Sequence, residues 1–286
     1  MRPAYLTEQA IEQFIRLALA EDIGAGDHST LGAVPATKIC KANLLVKDMG
    51  ILAGVAMAQK IFVVLDNSLK VFVNKNDGDG IEKGDIAFSV EGKAQSILMA
   101  ERLVLNCMQR MSGIATYTNK LCKQIEGTSA RLMDTRKTTP NFRLMEKWAV
   151  AIGGGLNHRF ALYDMVMLKD NHIDMAGGVR AAIEQVKSYL KRTNKSLKVE
   201  VETRTLAEVE EVLQVGGIDV IMLDNMSTDQ MRQAVKLIGG RYKTEASGGI
   251  TESTLRAVAE CGVDYISVGA LTHSVKSLDL SLKVLK

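Results

Sequence analysis

Residues 197–249 read LKVEVETRTLAEVEEVLQVGGIDVIMLDNMSTDQMRQAVKLIGGRYKTEASGG. Leu197–Glu202, Val220–Leu223 and Lys243–Ala246 are short strand-like runs, and Leu206–Val215 and Thr228–Ile238 between them carry helical periodicity. Strands that alternate with helices at this spacing lie parallel, because each helix crosses over the sheet. Outward from this stretch the same rhythm recurs. Strands are expected at Arg131–Thr135, Tyr163–Leu168 and Tyr265–Val268, with helices at Phe142–Ile152, Gly178–Lys191 and Glu252–Cys261. Six strands alternating with five helices favour a barrel over an open sheet.

The first third of the chain is organised differently. Ile11, Phe14, Ile15, Ala18 and Leu19 recur at helical spacing after Thr7, a candidate N-cap. β-rich runs follow at Ile39–Val46, Leu69–Asn74 and Ile86–Val90, the last two separated by turn-rich Asn76-Asp77-Gly78-Asp79-Gly80. Gln95–Glu126 reads as a long helical stretch in which Gly113 offers a break.

Composition narrows the function classes. With 286 residues, 47% hydrophobic and 24% charged, the chain is globular rather than disordered, and long enough for two domains or one large α/β unit. No stretch longer than 11 residues lacks Asp, Glu, Lys and Arg (Met49–Gln59 is one such), so no membrane span is expected. The opening residues carry acids within their apolar face, so no signal peptide is expected. Cys40, Cys107, Cys122 and Cys261 have no C-x-x-C or metal-ligand spacing and read as reduced thiols of a cytoplasmic protein. A net charge of +3 and 5% aromatic residues speak against nucleic acid. The positive charge is concentrated. Between Arg131 and His172 seven bases (Arg131, Arg136, Lys137, Arg143, Lys147, Arg159, Lys169) face four acids (Asp134, Glu146, Asp164, Asp170). A salt-bridged surface would account for such a cluster; so would a pocket for a small polyanion.

The strand ends decide between them. Asp134-Thr135-Arg136-Lys137, Lys169-Asp170-Asn171-His172, Glu202, Asp224-Asn225, Ser247-Gly248-Gly249 and Gly269-Ala270 each follow an apolar strand run. In a βα barrel these carboxyl ends meet at one mouth. Arg136, Lys137, Arg159 and Lys169, with His158, would form an anion-binding wall, the arginines pairing with carboxylates through two parallel hydrogen bonds. Glu202 and Asp224, on consecutive strands, suit a hard divalent cation, ribose hydroxyls or a developing positive charge. The two glycine turns bare backbone amides that can cradle a phosphate. The chain has no P-loop, no complete G-x-G-x-x-G and no H-E-x-x-H.

These motifs resemble those of the quinolinate phosphoribosyltransferase family, also called nicotinate-nucleotide pyrophosphorylases (carboxylating). The likeness runs through Asp134–Pro140, Gly153–Arg159, Lys169–His172, Glu200–Glu202, Leu223–Asn225, Glu245–Ile250 and Val268–Thr272, and near the start through Glu21–Asp27. His28-Ser29-Thr30 departs from the family pattern, which has an aliphatic residue before a Thr/Ser pair. The resemblance implies an N-terminal α/β sandwich (residues 1–112), an incomplete seven-stranded α/β barrel (113–271) and a C-terminal segment (272–286) returning to the first domain. One more strand is thereby implied than the six read directly. It also implies a homodimer, or an assembly of dimers, in which one subunit's sandwich caps the other's barrel mouth.

The activity implied is transfer of phosphoribosyl from phosphoribosyl pyrophosphate to quinolinate with decarboxylation, using magnesium. By resemblance Arg136, His158, Arg159 and Lys169 hold the quinolinate carboxylates with Thr135 assisting, and Arg102 reaches the substrate from the neighbouring subunit. Lys137 contacts phosphoribosyl pyrophosphate, and Glu202 and Asp224 meet its ribose and the magnesium. Ser247, Gly248, Gly249, Gly269 and Ala270 cradle the 5′-phosphate. Lys137, Lys169, Glu202 and Asp224 are then the catalytic set. Two alternatives remain at this point. A paralogue of the fold, such as the molybdenum-transport-associated relatives, could act on another acceptor, but the complete basic wall argues against it. A non-catalytic phosphate-ligand sensor is disfavoured by the presence of Lys137, Glu202 and Asp224.

Overall fold

Burial alternates along Ile39–Val46, where Ala42, Leu44 and Val46 are buried, but is unbroken along Val199–Thr203. The first pattern belongs to a sheet covered on one face, the second to strands covered on both. The computed structural model describes residues 3–285. In chain order the elements begin with α1 (Glu8–Ile23), α2 (His28–Ala33), β1 (Ile39–Val46), β2 (Gly50–Ile51) and α3 (Val55–Leu65). Next come β3 (Lys70–Val73), β4 (Gly80–Ile81), β5 (Ile86–Lys93), α4 (Ala94–Gln124), β6 (Arg131–Met133) and α5 (Arg143–Ile152). Then follow β7 (Val166–Leu168), α6 (Asp170–Ala176), α7 (Val179–Arg192), β8 (Val199–Thr203), α8 (Leu206–Val215), β9 (Val220–Asp224) and α9 (Thr228–Ile238). The series closes with β10 (Lys243–Ser247), α10 (Leu255–Ala259), β11 (Tyr265–Ser267), α11 (Ala270–His273) and β12 (Leu280–Val284).

The chain forms two units. The first takes the chain up to Asn119, Lys137–Gly154 and the chain from Ala270; the second takes Lys120–Arg136 and Gly155–Gly269. The first is built on an antiparallel sheet in the order β12-β1-β5-β3, so the last strand of the chain pairs with the first. Phe62 on α3 meets Phe88 on β5 edge to face at 6.0 Å, both fully buried. Each such ring is worth roughly 1.5–3 kcal/mol of burial. Thr7 caps α1 as expected, accepting from the Ala10 amide. Gly113 does not break α4. A Cβ there would collide with the carbonyl of Lys276, so the glycine permits a close backbone approach instead.

The second unit holds a six-stranded parallel sheet in the order β6-β11-β10-β9-β8-β7. Read as a ring this is simply chain order, the arrangement of a βα barrel. A single parallel bridge from Leu156 to Met133 supplies a seventh position beyond β6. Among the described residues no ladder joins Leu156 to β7, so the barrel is incomplete. The direct reading had six strands because one bridging residue leaves no periodicity to detect. The expected strand at Tyr163–Leu168 starts only at Val166, since the Asp164 carboxylate turns the chain by accepting from the amides of Phe160 and Ala161. The helix expected at Glu252–Cys261 is regular only over Leu255–Ala259. All four cysteines are free, and among the described residues no helix is long and apolar enough to cross a membrane.

Candidate active site

Because all six strands of the second unit run parallel, their carboxyl ends share one edge, and the sheet order fixes which chemistries are neighbours. Thr135 and Arg136 follow β6; Gly269 follows β11; Ser247, Gly248 and Gly249 end β10; Asp224 ends β9; Glu202 ends β8; Lys169 follows β7. The two glycine turns are therefore adjacent, as are the two carboxylates, and cations stand at both ends. Leu156 brings Asn157, His158 and Arg159 beside β6.

The wall at the β6 end is anchored by Asp134. This fully buried carboxylate accepts from the Asn157 side chain at 2.7 Å and the His158 amide at 2.9 Å, tying the strand end to the Asn157–Arg159 segment. Arg159 is half-buried and donates to the Met165 carbonyl at 3.2 Å. Burial, then the Arg136 guanidinium beside it, depress its proton affinity. Two cations held this close repel each other, so an anion placed between them would be stabilised.

His158 faces inward. Its Nε2 lies 2.9 Å from Glu200 on β8 and 3.4 Å from Glu245 on β10, both carboxylates fully or almost fully buried. Its Nδ1 lies 2.6 Å from the Arg159 amide nitrogen. Burial lowers the imidazole pKa, but the bonds to Glu200 and Glu245 outweigh it and carry it to about 10. Burial, then the nearby Glu245 carboxylate, lift Glu200 to about 7. His158 and Glu200 thus hold their protons more tightly together than they would apart. They are also the one His/Cys/Asp/Glu trio among the described residues with ligand atoms close enough for a metal.

At the other end Glu202 is almost buried, and burial followed by the Asp224 carboxylate raises its pKa. Its one hydrogen bond is a long 3.4 Å contact from the Asp170 amide, and Asp224 accepts from Asn225 at 2.6 Å. Neither carboxylate forms a salt bridge with Lys169 or Arg159. Lys169 is exposed at the start of α6, its amide donating to His172 Nδ1 at 3.0 Å. Gly248 and Gly249 have φ of +87° and +60°, and a Cβ on Gly248 would strike the Asn225 side chain and come within 2.8 Å of its amide nitrogen. Only glycine fits this turn.

Arg102, Lys137 and Ala270 belong to the first unit. Arg102 is exposed on α4 and has no hydrogen bond or ion pair among the described residues. Direct reading of the residues assigned no role to Asp134's double clamp, nor to Glu200 and Glu245. The V-E-V-E alternation of β8 was the available signal, since it puts Glu200 on the same face as Glu202.

The family described as quinolinate phosphoribosyl transferase, C-terminal domain, matches residues 114–283, and its N-terminal domain matches residues 27–112. The chain belongs to the quinolinate phosphoribosyltransferase family. This family member is 48% identical to quinolinate phosphoribosyltransferase [decarboxylating] 1b of Nicotiana tabacum, covering 99% of this chain and 84% of the relative. It is 44% identical to the probable nicotinate-nucleotide pyrophosphorylase [carboxylating] of Bacillus subtilis, covering 92% of this chain and 90% of that one. Its fold is similar to the crystal structure of NadC from Streptococcus pyogenes, with TM-score 0.91 at 41% identity over 98% of this chain and 99% of the other. The two-domain α/β architecture of this family member is thereby shared with solved structures along nearly its whole length.

Proposed function

We propose that the protein transfers phosphoribosyl from phosphoribosyl pyrophosphate to quinolinate with loss of carbon dioxide, yielding nicotinate mononucleotide and pyrophosphate. The observation that carries this reading is the order along the carboxyl edge: cation wall, two glycine turns, two carboxylates, cation. It matches the charges of the two substrates group by group. Arg136 and Arg159 pair with the quinolinate carboxylates, Lys169 closes on them and Thr135 assists. His158, its Nε2 taken by Glu200, contributes charge from below rather than a hydrogen bond. Ser247, Gly248, Gly249, Gly269 and Ala270 cradle the 5′-phosphate, and Lys137 contacts the pyrophosphate-bearing substrate. Lys137, Lys169, Glu202 and Asp224 form the catalytic set.

Glu202 and Asp224 are an all-oxygen pair without a salt-bridge partner among the described residues, and burial, then Asp224, make Glu202 harder to ionise. That donor set suits magnesium, which binds through one or two carboxylates plus substrate phosphates. When bound, magnesium neutralises charge on the leaving pyrophosphate. The same carboxylates stabilise positive charge growing on the ribose as the pyridine nitrogen meets the anomeric carbon. Loss of the adjacent carboxylate as carbon dioxide leaves an electron pair on that ring carbon, which the positive charge of the now-quaternary nitrogen stabilises until a proton from solvent is taken up there. Positioning and electrostatics carry the reaction without a covalent nucleophile. The working form is a homodimer in which Arg102, exposed and unpaired among the described residues, serves the partner's site. The four free thiols favour the cytoplasm.

Purified protein with phosphoribosyl pyrophosphate and magnesium should turn over quinolinate about 100-fold or more faster than nicotinic acid, because one carboxylate leaves cations of the wall unpaired. Equal turnover of the two acids would overturn the assignment.

A further inference from the structure

The segment that carries Lys137 is exposed at Lys137, Thr139, Pro140 and Asn141, yet buried groups hold its backbone. The hydroxyl of Thr272, a fully buried residue of α11, donates to the Lys137 carbonyl at 2.7 Å. Two residues on, Thr139 donates to Glu146 of α5 twice, from its amide at 3.0 Å and its hydroxyl at 2.9 Å. Glu146 is fully buried. Its other partner is Arg110 of α4, whose Nε and Nη2 lie 3.1 and 2.9 Å from Oε1. The same guanidinium donates to the carbonyls of Val275 at 2.9 Å and of Thr272. Arg143 adds a 2.9 Å bond to the Thr138 hydroxyl.

This is an expensive way to hold a surface loop. A buried ion pair is often no more stabilising than apolar residues of the same volume, so its use points to conformational specificity. Here every donor and acceptor of the pair ends on the Lys137 segment or on the stretch around Thr272 that also grips it. We propose that Thr272 and the Arg110–Glu146 pair are positioning residues for phosphoribosyl pyrophosphate, acting through the backbone of Lys137. The inference rests on the role given to Lys137 above. Thr272 and Glu146 fix where its Cα stands and so where its flexible ammonium can reach.

The test is Thr272→Val, which keeps shape and removes the hydroxyl. Losing one neutral hydrogen bond should raise the Kd for phosphoribosyl pyrophosphate by calorimetry, and its KM, roughly 3- to 10-fold. The KM for quinolinate should stay within about two-fold, and Thr272→Ser should restore wild-type behaviour, as a lost hydroxyl bond requires. Should Thr272→Val not fold, Thr139→Val, which loses only the hydroxyl bond to Glu146, carries the same expectation. Unchanged phosphoribosyl pyrophosphate affinity in an active variant, or parallel rises in both KM values with a lowered Tm, would overturn the positioning role alone. A wild-type protein that binds no phosphoribosyl pyrophosphate would overturn the functional reading and this inference with it.

Discussion

Raising the pH from about 7.5 to about 9 should weaken folding through the His158–Glu200–Glu245 cluster, and the size follows from its protons. Burial pulls the His158 pKa down, but the two buried carboxylates raise it further, to about 10 from an ordinary 6.5. A group whose folded pKa is raised contributes stability that is complete below the unfolded value, 6.5, and lost as pH climbs through about 10. Glu200, lifted to about 7 by burial and by Glu245, takes up its proton below this window and adds little within it. Across the window the folded cluster therefore holds close to one proton more than the unfolded chain. Each such proton changes stability by about 1.4 kcal/mol per pH unit, so about 2 kcal/mol should be lost. Urea unfolding of the wild type and of Glu200→Gln/Glu245→Gln at both pH values isolates the effect, because other groups titrate alike in both proteins. The variant should lose about 2 kcal/mol less. Parallel losses would refute the shared-proton account. So would a His158 ring resonance in the wild type that titrates with an ordinary imidazole midpoint.

Three further expectations address the site directly. Glu202→Ala and Asp224→Ala should cut turnover far more than they weaken quinolinate binding, measured by steady-state kinetics beside calorimetry; near-normal turnover at saturating magnesium would remove them from the catalytic set. Gly248→Ala should strain the β10 turn by at least about 1–2 kcal/mol at a positive φ, displace Asn225 and abolish phosphoribosyl pyrophosphate binding while the strands persist by circular dichroism. Inactive Arg102→Ala and Lys169→Ala subunits, mixed and shown by mass to have exchanged, should regain activity, since one shared site then has both residues; no recovery returns Arg102 to a structural role.

Legibility in the sequence followed locality. Helices α8 and α9 coincide with the expected Leu206–Val215 and Thr228–Ile238 because their signals are adjacent in the chain. Thr205 and Ser227 cap their amides, and Gly216 and Gly239, at φ of +61° and +58°, end them. α3 went unread because Val55–Leu65 is apolar on nearly every side and shows no stripe, and α6 because its seven residues are short and polar. The strand-end residues could be read as a set since a parallel sheet gathers carboxyl ends whatever their spacing. Which of them bond to one another could not. His158, Glu200 and Glu245 come from three separate stretches of the chain, the two carboxylates from within β8 and β10, and beyond the V-E-V-E alternation of β8 nothing local signals a buried charge partner.

The pairing of β1 with β12 bears on how the protein is made. During synthesis the strand Ile39–Val46 emerges well before Leu280–Val284, the strand that covers one of its edges. Until then β1 has only β5 beside it, and its other edge offers a row of unsatisfied amides and carbonyls. A nascent or truncated chain ending before Leu280 should therefore be the aggregation-prone species, with chaperone dependence set by how long β1 waits for its late partner.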